Sequence, residues 1–275
     1  MLKIYLRQND IYKIIDLLMN QTIYIKCFIH LVGLEYVQMT PEIINPKLDL
    51  IMDNLNDIYN NDCKEKNWIK HPRFDSLSNN TKNNIQSYLI DITDMIDIPN
   101  IKFIYDENDY YKIYDVGENK YRFSSNVISK QVINNQLITH AKKLNIIFLS
   151  EKNIDRQFKV SVGITSQTNC INKPIVLLNG VKFNRPFSYT LAHEIGHVLG
   201  LKHPFCERHN DNEDIFPEFV NNLDKKTFKN PFINISHYDN SDRLWGNIMD
   251  YHDMVCFFTK NQVKYMREVA EKLFS

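Results

Sequence analysis

The sequence predicts an α+β fold whose first part is an α/β-like lobe with a mixed sheet. Apolar runs of strand length alternate with amphipathic runs of helix length through most of the chain, a pattern typical of sheets covered by helices. The 275 residues, of which 43% are hydrophobic and 24% charged, are enough to bury one large core. Because the chain has no internal repeat and no Gly/Ser-rich or Pro-rich linker, we expect one folded unit with a deep cleft.

The first predicted element is an N-terminal leader. Residues 2–7 have the composition of an extended piece, and Asn9 or Asp10 can cap a short helix whose apolar positions follow helical spacing. We therefore expect a leader or pro-like segment over residues 1–21, followed by the main domain over residues 22–275.

The main domain is predicted to begin with a strand and a packing helix. Residues 22–32 are rich in Ile, Phe and Val, as in a buried strand, and residues 46–60 carry an apolar helical face. The elements expected next are a helix, a strand, a second helix, a second strand and an edge strand, over residues 85–92, 101–105, 127–141, 144–149 and 174–179 respectively.

Charge and hydropathy exclude several classes of function. Lys plus Arg (33) equals Asp plus Glu (33), so no basic surface for nucleic acid is predicted. The longest apolar stretch, residues 22–34, is interrupted by Lys26 and His30 and falls short of the roughly 18 to 20 residues that span a bilayer. Charged residues also interrupt the N-terminal segment, which argues against a classical signal peptide. We expect no nucleic-acid partner and no membrane insertion.

The cysteines predict a reducing environment. They are too few and too scattered for a disulfide scaffold, and their odd number leaves a thiol free in a monomer: Cys27, Cys63, Cys170, Cys206 and Cys256. We expect a monomer that is cytoplasmic or exported by a non-classical route.

Residues 191–203, L-A-H-E-I-G-H-V-L-G-L-K-H, contain the pattern H-E-x-x-H-x-x-G-x-x-H without a substitution. Because His193 and His197 are one helical turn apart, both imidazoles leave the same face of a helix and can bind one zinc ion. Pro186 lies near the predicted helix start, where its missing N–H costs nothing. The residues expected to pack this helix into the protein are Leu191, Ala192, Ile195, Val198 and Leu199.

Gly200 predicts where this helix ends. A continuous helix would carry His203 roughly 15 Å along the axis from His193, so the chain has to turn, and glycine enters the left-handed region without steric cost. His193, His197 and His203 would then hold one Zn²⁺ and leave a fourth position open, as in a catalytic site. Glu194 follows the first ligand and is placed to act as the general base on a water at that position.

Three alternatives stand beside this interpretation. The motif could have a purely structural explanation. The chain could be a catalytically silent protein that keeps zinc for stability, although Glu194 is intact. It could also be a zinc hydrolase of a non-protein substrate, because H-E-x-x-H alone does not select peptides.

At these residues the sequence resembles the metzincin metallopeptidases, whose second signature is a methionine turn beneath the metal. The candidate turn is G-N-I-M-D-Y at residues 246–251, in which Met249 would supply an apolar floor under the histidines. N-I-M-D-Y followed by C-F-F-T-K-N-Q-V-K-Y-M looks most like the pappalysin-like branch, peptidase family M43. The specific match covers residues 190–203 and 246–266.

The resemblance implies a metzincin-type zincin fold with a mixed twisted sheet, an active-site helix, a methionine turn and a C-terminal helix. It implies a zinc-dependent endopeptidase acting on a peptide or protein substrate, with an upper lobe at about residues 22–200 and a lower lobe at about 201–275. Tyr251 matches the family's tyrosine beside the metal, which implies a role as an extra ligand or as a donor to the oxyanion. A hydrogen-bonded core tyrosine is the alternative for Tyr251.

The sequence departs from the pappalysin-like pattern after the third histidine. Many relatives have D-x-V-x-D-T-P and further cysteines there, whereas this chain has F-C-E-R-H-N-D-N-E-D-I-F-P. We favour a solvated acidic loop over a calcium site for the acidic residues Asp211, Glu213 and Asp214. Cys256 matches the family's cysteine after the turn, but its usual partner is not evident, and Cys206 is a weak candidate for it.

A second departure concerns specificity. Some pappalysin-like enzymes carry an acidic residue three positions after the tyrosine of the methionine turn and cut before basic residues. Here that position is Met254, and Asp253 is one residue away. A substrate arginine would therefore be poorly paired in this pocket, so we expect an apolar side chain after the scissile bond.

Overall fold

A computed structural model describes residues 21–60, 79, 83, 96–105, 111–117, 142–150, 153, 163–166, 174–179, 185–201, 247–249 and 257–274. In these ranges the chain forms, in order, β1 (Ile23–Val32), α1 (Leu34–Val37), α2 (Pro41–Asn60), β2 (Ile96–Asp97), β3 (Ile101–Ile104), β4 (Tyr111–Tyr114), β5 (Leu144–Leu149), β6 (Gly163–Ser166), β7 (Ile175–Asn179), α3 (Arg185–Val198), β8 (Phe258–Thr259) and α4 (Lys260–Phe274).

The main sheet is mixed, as predicted, and is organised around β1. Among the described strands the order is β3-β1-β5-β7-β6, and β4 also pairs with β1 beyond the end of β3. All of these pairs are parallel except β6 with β7. Every residue of β5 is buried, which is typical of a parallel strand covered on both faces. The predicted strands over residues 22–32, 101–105 and 144–149 are confirmed as β1, β3 and β5.

The prediction of an edge strand over residues 174–179 is wrong in one respect. The strand exists as β7, but it lies inside the sheet, with β5 on one side and β6 on the other. The edge of this part of the described sheet is the antiparallel strand β6. Its sequence, G-I-T-S, was not recognised because four residues with one large apolar side chain give no alternation to detect.

The helix predicted over residues 46–60 begins five residues earlier than expected, since α2 starts at Pro41. The Thr40 carbonyl accepts hydrogen bonds from the N–H groups of Ile43 and Ile44 at 3.0 and 3.1 Å, which closes the first turn. Pro41 occupies the first helical position, where no N–H is needed. Pro46 lies inside the helix on its exposed side. The predicted helices over residues 85–92 and 127–141, and residues 1–20 of the predicted leader, lie outside the described residues.

The core joins α2 to α3 and to the sheet. Tyr59, near the end of α2, is fully buried and its O–H donates to the Ala192 carbonyl of α3 at 3.0 Å. Its ring meets Phe103 of β3 edge-to-face at 4.9 Å and also contacts Phe258 of β8. Burial raises the pKa of Tyr59, so the phenol remains protonated and keeps this donor. Tyr59 therefore fixes α3 against the rest of the core.

The C-terminal helix is tied to the edge of the sheet by a buried arginine. The guanidinium of Arg267 in α4 donates to the carbonyls of Gln21 and Pro99, each at 2.7 Å. These two carbonyls lie just before β1 and β3, so one side chain joins α4 to the start of both strands. Such charge-assisted bonds are stronger than neutral ones and hold α4 in register with the sheet.

Two further expectations concern the Cys27 thiol and membrane-spanning helices. Cys27 has a free thiol and is buried in β1, where desolvation raises its pKa, so it behaves as a small core residue. The other four cysteines lie outside the described residues. None of the described helices has the length and apolarity needed to cross a bilayer.

Candidate metal centre and active site

The helix that carries the motif, α3, runs from Arg185 to Val198, and Pro186 is its second residue, as predicted for a helix start. The residues expected to pack it into the protein are all buried, with exposed fractions between 0% and 5%: Leu191, Ala192, Ile195, Val198 and Leu199. The predicted orientation of the helix is therefore confirmed.

Both described histidines of the motif have their Nδ1 atoms engaged by backbone carbonyls. His193 Nδ1 lies 2.9 Å from the carbonyl oxygen of Ile248, and His197 Nδ1 lies 2.8 Å from that of Leu201. A carbonyl can only accept, so Nδ1 must carry the proton in each ring. The neutral imidazole then has its lone pair on Nε2, which is the state that binds a metal ion.

Burial keeps both rings neutral near pH 7. Desolvation, followed by the proximity of His197, lowers the pKa of His193 to about 4, against the opposing effect of its hydrogen bond to Ile248. Desolvation also lowers the pKa of His197. The two ring centroids are 4.8 Å apart and the planes are nearly perpendicular. Two neutral, oriented imidazoles this close together are a donor set that fits zinc.

The general-base candidate lies in the same buried segment. Glu194 is 8% exposed and His193 is 7% exposed, so both side chains are largely removed from bulk water. A carboxylate in such a place interacts more strongly with a nearby charge or proton than it would at the surface. Glu194 is therefore a buried residue of the segment that carries both histidines and not a solvated surface residue.

Gly200 ends the helix as predicted, and it also helps to orient His197. Its φ is 87°, in the left-handed region, and the N–H of Leu201 donates to the Gly196 carbonyl at 2.9 Å while the N–H of Gly200 donates to the His197 carbonyl at 3.0 Å. This pair of bonds is a Schellman motif. The turn brings the Leu201 carbonyl back to the imidazole of His197, so helix termination and ligand orientation depend on the same glycine.

We expect Gly200→Ala to lower the free energy of unfolding by more than the roughly 1–2 kcal/mol that a left-handed conformation costs an L-residue. A Cβ at Gly200 would overlap the ring of Tyr265 in addition to the backbone strain. Gly117→Ala is the matched control, because Gly117 also has a left-handed φ, 60°, but a Cβ there meets nothing within 4 Å. Urea unfolding of both variants measures the difference, and equal losses would contradict a role for the Tyr265 contact.

The methionine of the predicted turn is described and lies against the active-site helix. Met249 is fully buried, and a Cβ at Gly196 would overlap its sulfur atom. Gly196 is therefore a site residue that sequence reasoning missed, because it is the glycine that lets the thioether approach the helix between His193 and His197. Its signal in the sequence was a glycine inside a helical pattern in a chain that has only 7 glycines.

Several predicted site residues lie outside the described residues: His203, Tyr251, Asp253, Met254, Asp211, Glu213 and Asp214. Their placement stays a prediction. Within the described ranges, no three His, Cys, Asp or Glu side chains converge on one point, as is expected when the third predicted ligand falls beyond them. The structure thus brings together His193, His197, Glu194 and Met249 of the predicted site.

Comparison with known proteins agrees with this geometry. Residues 158–271 match the family model described as Pregnancy-associated plasma protein-A, peptidase family M43. This range contains the active-site helix, the methionine turn and most of α4. No significant sequence match to a curated protein was found.

The fold is similar to that of mirolysin from Tannerella forsythia. The mature enzyme in complex with a cleaved peptide matches with a TM-score of 0.56 and 17% identity over 93% of this chain and 99% of that chain. A mutant of promirolysin from the same organism matches with a TM-score of 0.57 and 17% identity over 96% of this chain and 89% of that chain. These likenesses confirm the predicted α+β metzincin fold.

Proposed function

We propose that the chain is a pappalysin-like metalloendopeptidase of the metzincin class, which hydrolyses peptide bonds with one zinc ion held by His193, His197 and His203. The observation that carries the proposal is the pair of Nδ1 hydrogen bonds to the carbonyls of Ile248 and Leu201. These bonds leave Nε2 of both imidazoles as a metal ligand and fix the ring orientations before any metal arrives.

The chain's own residues supply the proton transfers. When bound, zinc lowers the pKa of a coordinated water toward about 7 and polarises the scissile carbonyl. A carboxylate oxygen of Glu194 accepts the proton of the attacking water and delivers it to the nitrogen of the leaving amine. The phenol of Tyr251 donates to the oxygen that gains negative charge, a contribution of about 3–4 kcal/mol where such a donor has been removed in another enzyme.

The substrate is proposed to pair with β6. This strand replaces the edge strand first expected at residues 174–179, and it contacts α3, the helix that carries the histidines. An extended peptide can add to a sheet edge through main-chain hydrogen bonds, which hold the peptide straight along the strand. Peptides and unfolded protein segments are therefore the substrates that suit this sheet edge.

Metal removal and restoration test the proposed function. The purified chain is stripped with a chelator, reloaded with zinc and incubated with a peptide library derived from a digested proteome. We expect about one zinc per chain and cleavage within peptides after reloading, with no cleavage by the stripped protein. A reloaded protein that holds zinc and cleaves no peptide would contradict the proposal and favour the silent zinc-binding alternative.

The same library tests the specificity expected from Met254. We expect Leu, Met or Phe immediately after the scissile bond to be preferred over Arg or Lys by at least about tenfold in kcat/KM, because a buried guanidinium without a well-placed carboxylate is poorly paired. Met254→Asp should shift the preference toward basic residues. A strong preference of the unaltered chain for Arg or Lys would contradict this and assign the acidic role to Asp253.

A further inference from the structure

A closed pair of amide hydrogen bonds joins the methionine turn to the first turn of α4. Asn247 and Gln262 are both fully buried. The Nδ2 of Asn247 donates to Oε1 of Gln262 at 2.7 Å, and the Nε2 of Gln262 donates to Oδ1 of Asn247 at 3.0 Å. Two buried amides that satisfy each other in this way form a directional link between segments that are distant in the sequence.

Backbone groups set the orientation of both amides. The N–H of Met249 donates to Oδ1 of Asn247 at 3.0 Å, and the N–H of Thr259 donates to Oε1 of Gln262 at 2.9 Å. An N–H group can face an oxygen but not an NH₂ group, so neither amide can be flipped without losing a bond. The network therefore has one self-consistent arrangement.

The same glutamine forms a capping box at the start of α4. The hydroxyl oxygen of Thr259 accepts from the N–H of Gln262 at 3.2 Å, while the Gln262 side chain accepts from the N–H of Thr259. Thr259 is the N-cap and Gln262 the third helical residue, which is the spacing of a Thr-x-x-Gln capping box. The capping box thereby fixes the position of the Gln262 side chain at the start of α4, opposite Asn247.

The methionine turn is the other end of the link, and it contacts the metal centre twice. Ile248 lies between Asn247 and Met249, its carbonyl accepts from Nδ1 of His193 at 2.9 Å, and its N–H donates to the Phe257 carbonyl at 2.9 Å. Met249 lies against Gly196 in α3. Both contacts depend on where residues 247–249 are held, and the Asn247 side chain holds this segment by bonding to the Met249 N–H at one end and to Gln262 of α4.

We propose that Asn247 and Gln262 are positioning residues for the metal centre. Through the turn they set the Ile248 carbonyl that orients the His193 imidazole and the Met249 thioether beneath it. The inference rests on the proposed function, because it assumes that His193 binds zinc. Groups that bond directly to a metal ligand change metal affinity by about 10- to 100-fold when they are removed, and Asn247 and Gln262 act one step further away, through the Ile248 carbonyl, so the lower end of that range applies.

The test compares the zinc affinity of the full chain and its variants by competition with a chromogenic chelator. Gln262→Met keeps the size of the side chain and its helix propensity but removes every bond to Asn247. We expect it to raise the dissociation constant for zinc by about 10-fold, the lower end of the range for groups bonded directly to a metal ligand. The matched control is Asn56→Leu, which removes an amide of α2 that bonds both backbone groups of Phe103, at 3.0 and 2.7 Å, away from the methionine turn. We expect the control to lower stability and leave zinc affinity close to that of the unaltered chain.

A double variant keeps the inference testable if Gln262→Met does not fold. Asn247→Leu combined with Gln262→Met replaces both amides by apolar groups, so no buried side-chain amide is left unpaired and only the N–H groups of Met249 and Thr259 lose their acceptors. It should fold, as judged by circular dichroism, and bind zinc more weakly than the unaltered chain. A folded Gln262 variant with unaltered zinc affinity, or equal weakening in Asn56→Leu, would overturn the inference alone. Absence of zinc binding by the unaltered chain would instead overturn the proposed function.

Discussion

Replacing Glu194 by Gln is expected to lower kcat for peptide hydrolysis by about 10²- to 10⁴-fold while the protein still binds zinc. The substitution preserves the size of a side chain that is 8% exposed, so the packing of α3 should be retained. It removes the carboxylate that accepts the proton from water, and an amide oxygen is too weak a base to replace it. The loss should appear in kcat more than in KM, because the proton is transferred in the chemical step.

Two measurements make this prediction decisive. Zinc content should equal that of the unaltered chain, which separates loss of the base from loss of the metal. Glu268→Gln is the matched control, because Glu268 is an exposed residue of α4 and its neutralisation should leave kcat unchanged. Retention of more than about a tenth of the activity in Glu194→Gln would contradict the general-base assignment, since even modest general-base catalysis contributes about 10²-fold.

The active-site helix could be predicted from local sequence because each of its features has a local cause. The spacing of His193 and His197 follows from the helical repeat, and the apolar residues among and around them mark the buried face. Gly200 marks the helix end because few other residues adopt a φ of 87°. Each of these expectations is confirmed by burial, dihedral angle or hydrogen bonds of the described residues.

Features that depend on residues far apart in the sequence were not predicted. The position of β7 inside the sheet depends on β6, whose four residues carry no periodic signal. The close approach of Met249 to Gly196 joins segments 53 residues apart, by the difference of their numbers, and shows in the sequence only as a glycine within a helix. The N-x-M and T-x-x-Q patterns likewise gave no indication that Asn247 and Gln262 bond to each other.

A local rule also failed where the rest of the protein outweighed it. Proline inside a helix costs about 3 kcal/mol or more, and the helix predicted over residues 46–60 has Pro46 at its start. The helix nevertheless extends back to Pro41, and it buries the side chain of Ile44 against the core one turn ahead of Leu48. Full burial of a residue such as Ile44 stabilises by about 1.5–3 kcal/mol, which offsets much of that cost.

Substituting His203 by Ala is expected to raise the dissociation constant for zinc by more than about 100-fold and to abolish peptide hydrolysis. Removal of a direct ligand should exceed the roughly 10- to 100-fold effect of removing a group that only orients a ligand. His193 and His197 alone would hold the metal through two imidazoles, an incomplete set for a catalytic zinc site, which uses three protein ligands. Zinc content after dialysis against a moderate concentration of chelator measures the effect.

His209→Ala is the control for this substitution, because His209 follows the motif closely and is assigned no role as a ligand. It should keep full zinc occupancy and activity. Full occupancy in His203→Ala would contradict the three-histidine site, and an equal loss in both variants would mean that the segment after Leu201 holds the metal less selectively than the motif implies. The discriminating result is therefore zinc loss in His203→Ala alone. The turn at Gly200 supports this expectation, because it returns the Leu201 carbonyl to His197 and so redirects the chain just ahead of residue 203.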